Sequence, residues 1–351
     1  MTDHDRGARR LLAHRLTAGI GTLAIAVALA GSAEAAGTLR LLVWEGYADD
    51  DVVAEFEKKY DADVQVVYLT SDDEMWTKLK GSDGADFDVF SVATSALGKF
   101  IDAGLVAPID VTKVPNLGNQ LPQFQDLSQV AGITRDGTVY GLPMAYGSIG
   151  LLYDADRVTP PPTSWSVLWD PQYAGQVLLS DTSEVNVTMM AIALGMPNPF
   201  KLSPEELEQV KAKFLELRPS VVSYYGSPEE SIQIYEAGDV ALIFSPWGEQ
   251  AAGMFRKAGH NVAYAIPEEG AQGWIDAWAI TKGVQDEDLA YKWLDFSFEK
   301  NVSNILTERH NLGNTITPST EFDYAERLKW SEASEDFAAR NDLWNAVKAA
   351  Q

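Results

Sequence analysis

Between Thr38 and Thr70 the chain reads TLRLLVWEGYADDDVVAEFEKKYDADVQVVYLT, and this order of patterns limits what it can fold into more than any other feature. The apolar run to Val43 predicts a strand. Asp49 to Asp51 then supply an N-cap and first-turn acids, and Val52, Val53, Phe56 and Tyr60 follow at helical spacing. A second apolar run returns as a strand, followed by a short helix over DDEMWTKLK and a strand over DFDVFSVA. Alternating β and α elements predict a mostly parallel α/β sheet with helices on both faces, because parallel strands need crossovers and the crossovers cover the sheet. In such sheets ligands gather beyond the carboxyl ends of the strands. Trp44 to Tyr47 and Ala93 to Ser95 fall there.

Around YGLPMAYGSIGLLYD the alternation breaks, and a segment rich in proline and turn residues follows. A second α/β region then runs from SPEELEQVKAKFLEL, whose Ser-Pro-Glu start opens a helix, to the strand DVALIFS. The 351 residues suffice for two domains of ordinary size. No internal repeat or low-complexity tract argues for a solenoid or a linker array.

Residues 1–36 read as a secretory signal peptide. Arg6, Arg9, Arg10 and Arg15 form a basic leader, LTAGIGTLAIAVALA an apolar core, and SAEAAG a small-residue cleavage site ending at Ala35. Leu11 and Leu12 follow Arg9-Arg10 without a fuller twin-arginine motif, which favours ordinary secretion to the periplasm. With 51 acidic against 27 basic residues, a net charge of −24, the chain is a poor partner for nucleic acid. There is no cysteine, hence no disulfide and no thiolate nucleophile. Outside the leader only His260 and His310 remain, and neither sits in a zinc or serine-hydrolase motif. No metal and no cofactor are expected.

One stretch carries an unusual placement. EGAQGWIDAWAI, residues 269–280, reads as a strand in which Trp274, Asp276 and Trp278 share one face while Ile275, Ala277 and Ala279 take the other. An acid between two indoles is costly unless something cationic or hydrogen-bonding meets it. Asp276 either caps a helix or pairs with a lysine beside core indoles, or it awaits a ligand.

Four stretches together, VWEGY, TSWSVLWDPQYAGQVLLSD, EAGDVALIFSPWGEQ and PEEGAQGWIDAWAI, resemble the spermidine/putrescine-binding branch of the periplasmic solute-binding proteins of ABC importers, over about Leu39 to Leu312. The resemblance implies a type II periplasmic-binding-protein fold, with two α/β lobes closing on a ligand: residues 37–143 with 273–312 as one lobe and 144–272 with 313–351 as the other. It also implies a cleft lined by Trp44, Glu45 and Tyr47, by Asp181 and Glu184, by Trp247, and by Trp274 and Asp276. Carboxylates would hold the ends of an alkylammonium and aromatic faces its methylenes. The implied partners are a small cationic ligand and an inner-membrane permease, for a protein expected to be monomeric.

The sequence also departs from the family. Thr94, Ser95 and Ala96 stand where aromatics are common, Gln250 stands where an acid is common, with Glu249 adjacent, and Asn311, Asn314 and Thr315 replace a tyrosine. Tyr224 and Tyr225 are candidates to restore part of the wall. These changes point to a ligand shorter or more oxygenated than spermidine. A receptor for a zwitterion such as GABA is the alternative, needing a cation for the carboxylate, with Arg157, Arg218 and Arg309 as candidates. An exported hydrolase using paired carboxylates is the third reading.

Overall fold

The computed structural model describes residues 37–318 and 325–350; the expected signal peptide lies outside them. The opening segment folds in the predicted order: β1 (Gly37–Trp44), α1 (Asp50–Tyr60), β2 (Ala62–Leu69), α2 (Asp72–Gly81), β3 (Val89–Ala93) and α3 (Thr94–Asp102). Val52 and Phe56 are the buried stripe of α1. Asp49 occupies the N-cap position, but its carboxylate makes no capping bond and instead meets Arg309 and His310. After α4 (Pro122–Gln125) and the small hairpin β4 (Thr134–Arg135) and β5 (Thr138–Val139), the chain enters β6 (Leu142–Asp154).

The expected break is in fact this strand, 13 residues long and buried throughout. Glycines made it read as a turn. Two of them serve close packing: a Cβ at Gly147 would lie 2.3 Å from the Trp274 indole, and one at Gly150 would lie 2.4 Å from the Tyr264 hydroxyl.

The remainder comprises β7 (Val177–Ser180), α5 (Ser183–Ala193), α6 (Pro204–Leu217), β8 (Val221–Tyr225), α7 (Pro228–Ala237), β9 (Leu242–Ser245), α8 (Gly248–Lys257), β10 (Val262–Ala265) and β11 (Ala271–Ile280). It closes with α9 (Glu287–Ser297), α10 (Lys300–His310), β12 (Gly313–Asn314), β13 (Leu328–Trp330) and α11 (Phe337–Ala349). The helix predicted from SPEEL begins as expected. Ser203 and Glu206 form a reciprocal capping box with Pro204 in the first turn.

The main sheet runs β2-β1-β3-β11-β6-β9-β7-β8. It is mixed rather than mostly parallel. β1 is parallel to β2 and β3, and β7 is parallel to β8 and β9, whereas β11 and β6 are antiparallel to each other and to β3 and β9 respectively. Two parallel β/α halves are thus joined through a central antiparallel pair. β6 pairs with β11 up to Ile149 and with β9 from Gly150 onward. On β11 the period-two reading holds: Ile275, Ala277 and Ala279 enter one core, and Trp278 and Ile280 enter the other with Phe56, Trp293 and Phe296.

Candidate functional site

The carboxyl ends of β1, β2, β3 and β9 converge on a cavity of about 380 Å3, the location expected for a ligand in an α/β sheet. One wall carries Trp44, Glu45 and Tyr47 after β1, Asp72 after β2, and Trp274 and Asp276 from β11; the facing wall is the β9–α8 turn with Pro246, Trp247 and Gln250. Gly147 lets the Trp274 indole lie across β6, so its position is fixed by backbone contact. Trp247 is backed by Tyr225, ring centres 6.0 Å apart.

Asp276 is buried, 8% exposed, and accepts a 2.6 Å hydrogen bond from the Tyr47 hydroxyl. Among the described residues no Lys, Arg or His pairs with it. Burial, opposed by the Tyr47 bond and reinforced by the Asp72 charge, pushes its carboxyl up to about 7. Tyr47 itself, buried and facing that carboxylate, is raised well above the usual phenol range and stays a donor. Asp72 is reached by solvent at the rim, yet crowding by the cleft walls and the neighbouring Asp73 charge raise it, with Lys99 opposing. Trp278, assigned by alternation to the Asp276 face, is a core residue packed against Tyr47 and Trp293 and shapes the site from beneath.

Of the thirteen residues expected from sequence, the cavity brings together Trp44, Glu45, Tyr47, Trp247, Trp274 and Asp276. The others are placed elsewhere. Asp181 accepts bonds from Trp344 Nε1 at 2.8 Å and Lys348 Nζ at 2.5 Å, and Glu184 pairs with Arg340 at 3.5 Å and with Ser334. Tyr225 is buried and donates its hydroxyl to the Phe244 carbonyl at 2.6 Å. Glu249 pairs with Arg256 at 2.7 Å. Asn314 accepts from the amides of Ile316 and Thr317 and donates to Thr307, which makes it a turn-holding residue. Thr94 lines a different cavity of about 460 Å3 with Ile275 and Trp330, on the other face of β11; Ser95 lies in the first turn of α3, outside both.

Sequence reasoning missed Leu69, Asp72, Pro246 and Leu312, and noted Ala93 and Gln250 without counting them as site residues. Asp72 had a signal: it opens a helix directly after a strand, the placement that singled out Trp44 to Tyr47.

The sequence matches the family described as bacterial extracellular solute-binding protein over residues 51–333. It is 27% identical over 298 residues to the spermidine/putrescine-binding periplasmic protein of Escherichia coli strain K12, covering 84% of this chain and 81% of that protein. It is 28% identical over 284 residues to the putrescine-binding periplasmic protein PotF of the same strain, covering 76% of this chain and 74% of that one. In structure it is similar to the spermidine/putrescine ABC transporter substrate-binding protein PotD of Streptococcus pneumoniae, with a TM-score of 0.77 at 22% identity, covering 89% of this chain and 99% of that one. Fold, topology and sequence agree, and the chain belongs to the bacterial extracellular solute-binding proteins, which bind and hand over solutes and are not enzymes.

Proposed function

We propose that this protein captures a small alkylammonium of the polyamine class in the cleft around Asp276 and presents it to the permease of an ABC importer. The observation that carries the reading is a buried carboxylate, held by Tyr47 and lacking a cation, in a cavity walled by Trp44, Trp247 and Trp274. The lining includes Glu45, Asp72 and Asp276 but no Lys, Arg or His. An ammonium entering it gains a charge-assisted bond and cation–π contacts of about 0.5–2 kcal/mol per ring. Within this lining a zwitterion finds no partner for its carboxylate, and of the three candidate arginines Arg157 is engaged by Asp239, Arg309 by Asp49 and Asp51, and Arg218 lies over Tyr224. The names of the relatives point to the same ligand class.

Export to the periplasm and action as a monomer complete the proposal. The lobes are taken as 37–143 with 273–312 and 144–272 with 313–351; the exchange of β6 partners at Ile149 and Gly150 supports a hinge close to the first boundary. Titration calorimetry of the exported form with putrescine, spermidine, GABA and a neutral sugar tests the reading. Heat from the amines alone is expected; binding of GABA or the sugar without the amines would overturn it.

A further inference from the structure

The cavity around Asp276 is lined by three carboxylates and no base: Asp276 itself, buried, and Glu45 and Asp72, which solvent reaches. A single ammonium at Asp276 leaves the other two uncompensated. Asp72, which opens α2, is held firmly in place. β2 ends at Leu69, which also lines the cavity, and the intervening turn is fixed by its own bonds. Ser71 Oγ accepts from the Glu74 amide at 3.1 Å, and the Glu74 carboxylate accepts from the Thr70 amide at 2.9 Å and the Thr70 hydroxyl at 2.7 Å. Met75 and Leu79 anchor the helix in the core. Of the three acids in the first turn of α2, Glu74 is used by this cap, and Asp72 is the one that lines the cavity.

The two rim acids differ in their company. Glu45 is shared with an outer cavity of about 300 Å3 whose lining includes Lys257, Arg309 and His310, so cations of the protein already stand in its surroundings. Asp72 does not belong to that lining. Among the described residues no hydrogen bond or ion pair reaches its carboxylate, and Lys99, the cation whose charge it feels, lies over the Trp76 ring at 4.1 Å. The Asp72 charge also reaches Asp276 and helps to raise it, so these two acids are electrostatic neighbours. A cation that met both would relieve the burial cost of one and the repulsion between the two.

Resting on the functional reading above, we propose that Asp72 is a specificity-determining residue of this site: a ligand sets one ammonium on Asp276 and a second on Asp72 at the rim, with its methylenes against the indoles of Trp44, Trp247 and Trp274. The substrate class is then a short aliphatic diamine. A monoamine of the same length binds more weakly because it leaves Asp72 unmatched and still repelling Asp276. Since solvent reaches Asp72, its bond to the second ammonium is worth less than one in a closed site, about tenfold in affinity.

Calorimetry with putrescine and n-butylamine, matched in carbon number, tests this on the parent protein and on Asp72→Asn, with circular dichroism reporting the fold. The parent is expected to prefer putrescine by more than about fivefold once the statistical advantage of the diamine is removed. Asp72→Asn is expected to cut that preference by at least about fivefold. Asp73→Asn removes the adjacent charge outside the cavity lining and is expected to keep the preference. A smaller preference in the parent, or a smaller cut in folded Asp72→Asn, overturns the proposal. So does an equal cut in Asp73→Asn, which would make the effect one of net charge. The parent comparison stands even if a variant does not fold. If both amines bind alike, only the Asp72 assignment falls; if neither binds, the alkylammonium reading falls with it.

Discussion

A carboxylate enclosed by Tyr47, Trp44 and Trp274 is unstable as an anion until a cation arrives, and Asp276 shows the cost as a proton held up to about 7. The sign of its effect on stability follows. Folding raises this carboxyl above its ordinary value near 3.8, so the folded state binds more protons between about pH 4 and pH 7. Asp276 therefore costs nothing at low pH and subtracts increasingly from stability as pH rises through that window. Asp276→Asn should match or trail the parent in melting temperature at about pH 4 and exceed it at about pH 8; parallel melting curves would contradict the assignment. Tyr47→Phe removes a hydrogen bond to a charged acceptor, an interaction of about 1.5–3 kcal/mol. Its expected consequence is an upward shift in the pH at which amine affinity reaches half its plateau, and an unmoved midpoint would show that Tyr47 does not support the anion.

At the scale of elements, β6 and β11 place the site. Trp274 lies on Gly147, where an added Cβ would meet Cζ2 at 2.3 Å. Gly147→Ala must push the indole off its seat, with an expected loss of roughly tenfold in amine affinity, the worth of one cation–π contact. Unchanged affinity and unchanged tryptophan emission would count against that seat. The same elements explain what the sequence disclosed. Trp44, Glu45 and Tyr47 are legible because they follow a strand, Trp274 and Asp276 because a strand alternates, and Trp247 through the family resemblance. Asp181 and Glu184 also follow a strand, and nothing local reveals that α11, more than 150 residues later, delivers Lys348 and Arg340 to them. Thr94 goes to the opposite cavity, where Ile275 rather than its neighbour Asp276 faces it. β6 was obscured because its glycines, which look like breakers, are the positions where aromatic side chains cross the strand.

For the whole molecule, two parallel β/α halves are joined through β6 and β11 and border the cavity between the Asp276 wall and the β9–α8 turn. That arrangement suits hinge closure, in which binding energy at Asp276 draws Trp247 and Gln250 inward. A buried carboxylate without a cationic partner at the bottom of a closing cleft makes the motion depend on ligand charge. Small-angle scattering of the parent and of Asp276→Asn during titration with putrescine joins the site to the motion in one measurement. The parent is expected to become more compact and saturate. Losing the charge-assisted bond, about 1.5–3 kcal/mol, should move the same compaction in the variant to ligand concentrations roughly one to two decades higher. Coincident titration curves for the two proteins, or saturated binding with no compaction in the parent, would contradict the account.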